Sequence, residues 1–545
     1  MKNKSSLRAI LLLVVGIIVG VVIGINMYRL PFGRLKNVVP GDKINSLLYL
    51  INKQYVDTVN INQLVENAIP DILKGLDPHS VYISAQDLAD VNNTLEGHFS
   101  GIGVQFTIQD DTINIVSVVR GGPSEKAGLQ AGDRIIEVND SVFVGKNISN
   151  EKVMKELRGP KESVVKLGIK RSSSETLLTF KVIRDDIPVQ SVDVAYKISD
   201  GIGYIKVNQF GRNTYKEFMD AITRLTQKEN CNKLIIDLRE NTGGYMEAAT
   251  AMVNEFLANG QAIMYIQGKT YPKKSIYADG YGSCQKIPIV VLIDEFSASA
   301  SEIFAGAIQD NDRGLIVGRR SFGKGMVQQQ IELSDGSAVR LTVARYYTPS
   351  GRCIQKYYEN GADNNYESDI LNRYKHGEFD SQDSIKQNLN LKYKTVSGRT
   401  VYGGGGIMPD IFVPRDTAGY TSYFHTLINQ GVLYQFAFQY SDKNRSVLNN
   451  AKDYKQLLAY LETQDLLEDL VSFAETKGIK RRPVLIDISK NLILNQLYAY
   501  IIRNKFENEG FYPIFQRQDK TLARAVEELK SGQNYPSSPA LTTKK

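Results

Sequence analysis

The chain has 545 residues, 42% of them apolar and 23% charged, with a formal net charge of +7. That length is too great for one hydrophobic core, and a prior of ~150 residues per domain gives three or four units. The composition excludes a disordered chain and a polytopic membrane protein. Lys and Glu interleave along the whole length, so the positive excess reads as a solvated surface and no nucleic-acid partner is expected.

Residues 9–25 run without a charge and as a helix would span roughly 26 Å, just enough to cross a bilayer. A cleaved signal peptide is the alternative. No Ala-x-Ala-like site follows, and Asn26-Met27-Tyr28-Arg29 is a poor cleavage sequence, so the expectation is an uncleaved single-pass anchor over residues 1–28. Lys2, Lys4 and Arg8 precede the run while Arg29, Arg34 and Lys36 follow it, which leaves its orientation open.

Residues 29–94 read as a helical lead-in, interrupted by the turn Leu76-Asp77-Pro78-His79-Ser80. Over 95–186 the character changes to short β-branched runs with glycine punctuation, at 101–104, 112–119 and 134–138, which predicts a small β-rich domain. From 187 to 415 strand, turn and helix alternate. Residues 233–238 and 287–293 are apolar runs bounded by turns, as in strands buried on both faces of an α/β layer. Residues 416–545 are charged and helical, for example at 522–529, and end in a Ser/Pro/Thr/Lys tail expected to be disordered. The cysteines Cys231, Cys284 and Cys353 and the histidines His79, His98, His376 and His425 are scattered singly. No metal site is expected from them, and each His reads as structural.

Three stretches carry chemistry. Phe296-Ser297-Ala298-Ser299-Ala300-Ser301-Glu302 lies between the 287–293 strand and a helix running to Asp310; such a turn aims unpaired N–H groups and the positive helix end at one spot, which suits an oxyanion. Ser299-x-x-Glu302 is equally a capping box, a purely structural device. Gly318 to Gly325 matches GxxxxGK but has Gly325 where a phosphate loop carries Ser or Thr, and 326–333 alternates like a strand. Nucleotide binding is therefore not expected, and what remains is Lys324 in a glycine-rich turn. Asp237 to Gly244 ends a buried strand in two glycines, either a tight turn or a place where backbone N–H groups face a reacting carbonyl.

Together these stretches resemble the carboxyl-terminal processing peptidases, or tail-specific proteases. The resemblance also takes in the 76–80 turn, Ala305-Gly306-Ala307-Ile308-Gln309-Asp310, Tyr347-Thr348-Pro349-Ser350-Gly351-Arg352 and Gly406-Ile407-Met408-Pro409-Asp410, with Asn241-Thr242-Gly243-Gly244 standing for the family's usual Asn-Pro-Gly-Gly. It implies Ser299 as nucleophile, Lys324 as general base and Gln328 as the residue orienting the ammonium. Ser297 and Ser301 are then structural, and the oxyanion donors are the N–H of Ala300 and that of Gly243 or Gly244. A lysine serves as base only where burial depresses its pKa to about 7 or 8; no cofactor or metal is needed.

In the β-rich domain Gly101-Ile102-Gly103-Val104, followed by Gly122-Pro123-Ser124 and Gly132-Asp133-Arg134-Ile135, looks like a PDZ domain, whose glycine loop offers N–H groups to a peptide's terminal carboxylate. The expected architecture is a membrane anchor (1–28), a helical segment (29–94), an inserted PDZ domain (95–186), an α/β protease core of the ClpP/crotonase kind (187–415) and a helical carboxyl-terminal region (416–545). The expected partners are protein substrates with free C-termini and the membrane, with homo-oligomerisation left open. The resemblance places the bulk of the chain on the extracytoplasmic, periplasmic side of the cytoplasmic membrane. The rival reading is a catalytically inactive PDZ scaffold of the same fold. No role can be read for the insertion at residues 360–403, before the Gly406-Ile407-Met408-Pro409-Asp410 motif, or for 416–545.

Overall fold

A computed structural model describes residues 42–532 and residue 536, except 110, 120, 147, 172, 173, 360–365 and 367. The apolar 9–25 run lies outside the described residues, and so does all but residue 536 of the tail. Among the described residues no helix is long and apolar enough to cross a membrane. The chain divides after residue 72 into two units. The first holds the helix Asp42–Gln54 and most of the helix Ile61–Lys74; everything below concerns the second.

Five strands of the β-rich domain, Val104–Gln109, Thr112–Val118, Arg134–Val138, Val164–Lys170 and Leu178–Ile183, lie side by side in that order, each antiparallel to its neighbour, with Ser141–Val142 paired to Arg134–Val138. Alternate positions point inward, so Ile113 and Ile115 and then Val165, Leu167 and Ile169 meet in one core. Val153 and Leu157, one turn apart on the helix Asn150–Leu157, cover it. His98–Gly101 pairs with Asp185–Pro188 and ties the two ends of the domain together.

The central sheet runs Val192–Ser199, Ile202–Val207, Lys233–Asp237, Ile289–Ile293, Leu315–Gly318, Ile411–Phe412. Its first pair is antiparallel and the rest parallel. All five residues of Ile289–Ile293 are buried, which explains why the run reads as continuously apolar. Such a sheet needs cover on both faces. One face packs against the helices Thr214–Thr223, Met246–Asn254 and Ala300–Asp310. On the other, Leu522, Ala525 and Leu529 of the helix Lys520–Ser531 lie against Tyr204, Ile235, Leu292 and Val317. The carboxyl-terminal region thus completes the core that its sequence alone did not connect it to. Its other helices, including the 33-residue Pro483–Phe515 kinked at Glu507, build a separate apolar cluster.

A second sheet contains Met326–Glu332, Ala338–Tyr347, Ala262–Gln267 and Lys274–Tyr277. Val81–Ile83, three residues inside the expected helical lead-in, adds to it antiparallel to Ala338–Tyr347. A strand of three residues is too short to show a period in sequence.

Candidate active site

The helix Ala300–Asp310 is buried at every position, and Ser299 at its start is held at φ 54°. A non-glycine residue in that region carries strain, which persists only where the surroundings over-determine it. Here they do. The Ser297 hydroxyl donates to the Leu238 carbonyl at 2.8 Å, that of Ser301 to the Asn241 carbonyl at 2.8 Å, and the Ala298 N–H to the same Asn241 carbonyl at 3.0 Å. Ser297 and Ser301 are fully buried, whereas Ser299 between them is partly exposed. Of the three serines, only Ser299 can meet a ligand.

The glycine turn lies directly against Ser299. A methyl group added to Gly243 would sit 2.8 Å from Ser299 Cβ and 3.0 Å from the Ala300 nitrogen, and one on Gly244 would sit 2.2 Å from the Phe210 carbonyl oxygen. Both glycines have positive φ, 108° and 142°, so the absence of Cβ is required twice over. The Gly243 N–H donates to Asn241 Oδ1 at 2.9 Å. Among the described residues the N–H groups of Gly244 and Ala300 have no such partner; for Ala300 this follows from its place in the first turn of a helix.

The loop that carries Lys324, between Leu315–Gly318 and Met326–Glu332, is bonded to the same serine-rich turn through the Phe322 N–H, which donates to the Ser297 carbonyl at 3.0 Å. The joint between it and Ser299 is the fully buried carboxylate of Glu302. Glu302 accepts the N–H of Ser299 at 2.9 Å, of Lys324 at 2.8 Å and of Gly323 at 2.7 Å, and the Ser321 hydroxyl at 2.5 Å. Burial pushes its pKa up, opposed by these four hydrogen bonds. Among the described residues no hydrogen bond joins the Ser299 hydroxyl to the Lys324 ammonium; catalytic contacts of this kind are commonly long in an unliganded site. Burial, with a smaller contribution from Arg340, lowers the Lys324 pKa, against the pull of Glu302 and Asp77.

Gln328, expected to orient that ammonium, donates from Nε2 to Thr342 Oγ1 at 3.2 Å. The reason is register: Gln328 is paired with Thr342 across the two strands, just past an irregularity after Val327. Thr342 in turn donates to Asp77 at 3.0 Å, and Asp77 also holds the Ser80 hydroxyl at 2.6 Å. The 76–80 turn therefore forms one wall of the lysine site. His79 stands in this wall, its pKa lowered to about 4 by burial and then by the Lys324 charge. Sequence reading assigned His79 a structural role and missed its position, for which the turn's place in the family motif was the available signal.

In the β-rich domain Gly103 has φ 72°, and Ile102 is almost wholly buried. The Ile102 carbonyl accepts from Ser124 and the Gly103 carbonyl from Val119. Gly101 ends one strand and Val104 begins the next. Among the described residues no hydrogen bond uses the N–H of Ile102 or Gly103, so two successive donors are available where the resemblance puts a terminal carboxylate. Elsewhere, again among the described residues, no three His, Cys, Asp or Glu side chains are grouped to hold a metal.

The model of peptidase family S41 matches residues 201–368, that of the PDZ domain residues 91–170, and that of a family of unknown function (DUF8443) residues 423–507. The chain is 38% identical over 308 residues to a carboxy-terminal-processing protease of Bartonella bacilliformis, covering 56% of this chain and 70% of the relative. It is 37% identical over 318 residues to carboxy-terminal processing protease CtpB of Bacillus subtilis, covering 58% of this chain and 65% of that one. Among solved structures, the photosystem II D1 C-terminal processing protease is 25% identical, covering 69% of this chain and 94% of that chain, at a TM-score of 0.35. The identity to the Bartonella and Bacillus proteases, together with the matching family models, places the chain in peptidase family S41, the carboxyl-terminal processing proteases, as a serine-type peptidase.

Proposed function

We propose that the chain is an endopeptidase that cuts extracytoplasmic proteins at or near their C-termini, with Ser299 as nucleophile and Lys324 as general base. The observation that carries this reading is the Glu302 carboxylate, which clasps the backbone of both residues from one buried point. Lys324 loses its proton more readily for being buried. The neutral amine takes the Ser299 proton as Oγ bonds to the scissile carbonyl carbon, and the resulting ammonium returns that proton to the leaving amine as the C–N bond breaks. Water then releases the acyl group by the same exchange. The carbonyl oxygen, negative in between, is met by the N–H of Ala300 and, of the two glycines, by that of Gly244, since Gly243 is already engaged.

Substrates are recruited by their free carboxyl terminus at the 101–104 loop, adding as a strand to the PDZ sheet. The uncharged 9–25 run anchors the chain in the cytoplasmic membrane, with the rest on the extracytoplasmic side. The test is digestion of one unfolded protein, with free and with amidated terminus, by wild type beside Ser299→Ala and Lys324→Ala. Both substitutions abolish cleavage while the fold stays intact, because nucleophile and base serve one step. Amidation lowers the rate at subsaturating substrate by roughly ten- to a hundredfold, the worth of charge-assisted hydrogen bonds to a carboxylate. Cleavage retained by Ser299→Ala or Lys324→Ala overturns the dyad. Equal rates on both termini overturn PDZ docking alone.

A further inference from the structure

We propose that Tyr366 and residues 368–403, the described part of the insertion before the Gly406-Ile407-Met408-Pro409-Asp410 motif, form a strap that fixes the Lys324 loop, with Arg373 and Tyr366 as positioning residues for proton transfer. This rests on Lys324 as the base. From the helix Asp369–Lys375, the Arg373 guanidinium, 4% exposed, enters the loop from outside. It donates to the carbonyls of Ser321 at 3.0 Å and Arg320 at 2.7 Å. Its third bond, at 2.8 Å, goes to Glu378, which is buried and also accepts from Arg320. Two arginines and one carboxylate out of water are stable only when the surplus donors find acceptors. The loop carbonyls are those acceptors, so the insertion cannot be satisfied with the loop elsewhere.

Tyr366 works on the opposite wall. Its hydroxyl shares a hydrogen bond of 2.7 Å with His79 Nε2, and its ring meets those of His79 and Phe322 edge to face. Lys356 lies 3.8 Å from the Phe322 ring centre and 4.1 Å from that of Tyr366, and its ammonium bonds Asp369 at 3.1 Å. The Lys356 N–H also donates to the Gly323 carbonyl at 2.9 Å. At its far end the insertion is tied to the other half of the site. Arg399 pairs with Asp312 at 2.5 Å and Asp410 at 2.6 Å and donates to the Gln309 carbonyl, at the end of the helix that begins after Ser299. One segment therefore spans from the end of the nucleophile's helix to the backbone of the base. The charged or titratable groups facing Lys324 are Glu302 from that helix, Asp77 and His79 from the 76–80 turn and Arg340 from the adjoining strand; the strap touches this set through His79.

The experiment compares kcat, KM and the pH profile of full-length Arg373→Met, Tyr366→Phe and Lys375→Ala on one unfolded substrate. Arg373→Met loses ~10- to 100-fold in kcat with KM changed by about twofold at most. Its acid limb moves to higher pH, because water admitted to the loop relieves the burial that holds the Lys324 pKa down. Tyr366→Phe, which removes only one hydroxyl, moves the same limb by less, and exposed Lys375→Ala changes neither. A merely structural role lowers the melting temperature and leaves the acid limb in place, and that result in folded Arg373→Met overturns the strap. Where Arg373→Met does not fold, an unshifted limb in Tyr366→Phe decides against it. Lys324→Ala, measured alongside, separates the two failures: retained cleavage sinks the base, whereas loss of cleavage with unshifted limbs in the strap variants sinks the strap alone.

Discussion

Ser299 and Lys324, the nucleophile and base proposed above, are held by different means. Ser299 stands at the mouth of a buried strand and helix, and the residues that pin it, Ser297, Ala298, Ser301 and Glu302, are its own neighbours in sequence, bonded to the adjoining turn. The Lys324 loop has no such local frame. Its backbone is held by Glu302 from one helix, by Gln355 through a 2.8 Å bond to the Gly325 N–H, and by Arg373 from the insertion. A nucleophile fixed by local contacts keeps its geometry through changes elsewhere, whereas a base fixed by distant segments can be tuned by each of them. The lysine half is accordingly where the proposed strap would act.

Glu302 is where the two halves meet, so Glu302→Gln is the sharpest way to break the contrast. An amide cannot accept at both ends, and since each oxygen takes two donors, two of the four must face an NH2 group. The expected loss is ~100-fold in kcat with about 1–3 kcal/mol of stability, read by steady-state kinetics and urea unfolding. Activity within about twofold of wild type would mean the halves are positioned independently. Gly243→Ala attacks the nucleophile side alone: its methyl would press on Ser299 Cβ from a backbone that disfavours Cβ. A loss of ~10-fold or more in kcat follows, and the acid limb set by Lys324 stays where it is.

Ser297→Ala and Ser301→Ala each remove one of two hydrogen bonds to a buried carbonyl and cost about 0.5–1.5 kcal/mol each in thermal or urea unfolding, while cleavage by the folded protein persists. Loss of cleavage in a folded Ser301→Ala would place the nucleophile differently. The smallest effect belongs to His79. Its folded pKa of about 4 lies below the usual 6.5, so the unfolded chain binds a proton that the folded one refuses. Stability is complete above 6.5 and declines as pH falls from there toward and through about 4. His79→Gln flattens that decline, and an unchanged slope in melting temperature against pH would show the ring titrating freely.

Much of the catalytic half was legible before any coordinates. The 287–293 run, the serine-rich turn and the helix to Asp310 announce themselves through contiguous apolar residues and small-residue punctuation, and the structure shows the strand as Ile289–Ile293 and the helix as Ala300–Asp310. The exclusion of a phosphate loop at Lys324 followed from Gly325 and from alternation that became the strand Met326–Glu332. The Gln328–Thr342 bond was not legible, because a strand residue's contacts follow its cross-strand partner and no spacing within one strand reveals that Thr342 stands opposite. The strand Val81–Ile83 was missed because three residues carry no period.

What the sequence determined by itself was what neighbours along the chain set: which long apolar runs are strands and where the helix after Ser299 begins. Tertiary structure decided the rest. It placed the helix Lys520–Ser531 on the bare face of the central sheet and gathered Asp77, Glu302, Lys324 and Arg373 from four separate stretches. The physical reason is that apolar periodicity is written into each segment, whereas a buried charge or an uncovered sheet face takes whatever partner the folded chain brings to it, and that partner's distance in sequence costs almost nothing once the intervening chain is folded.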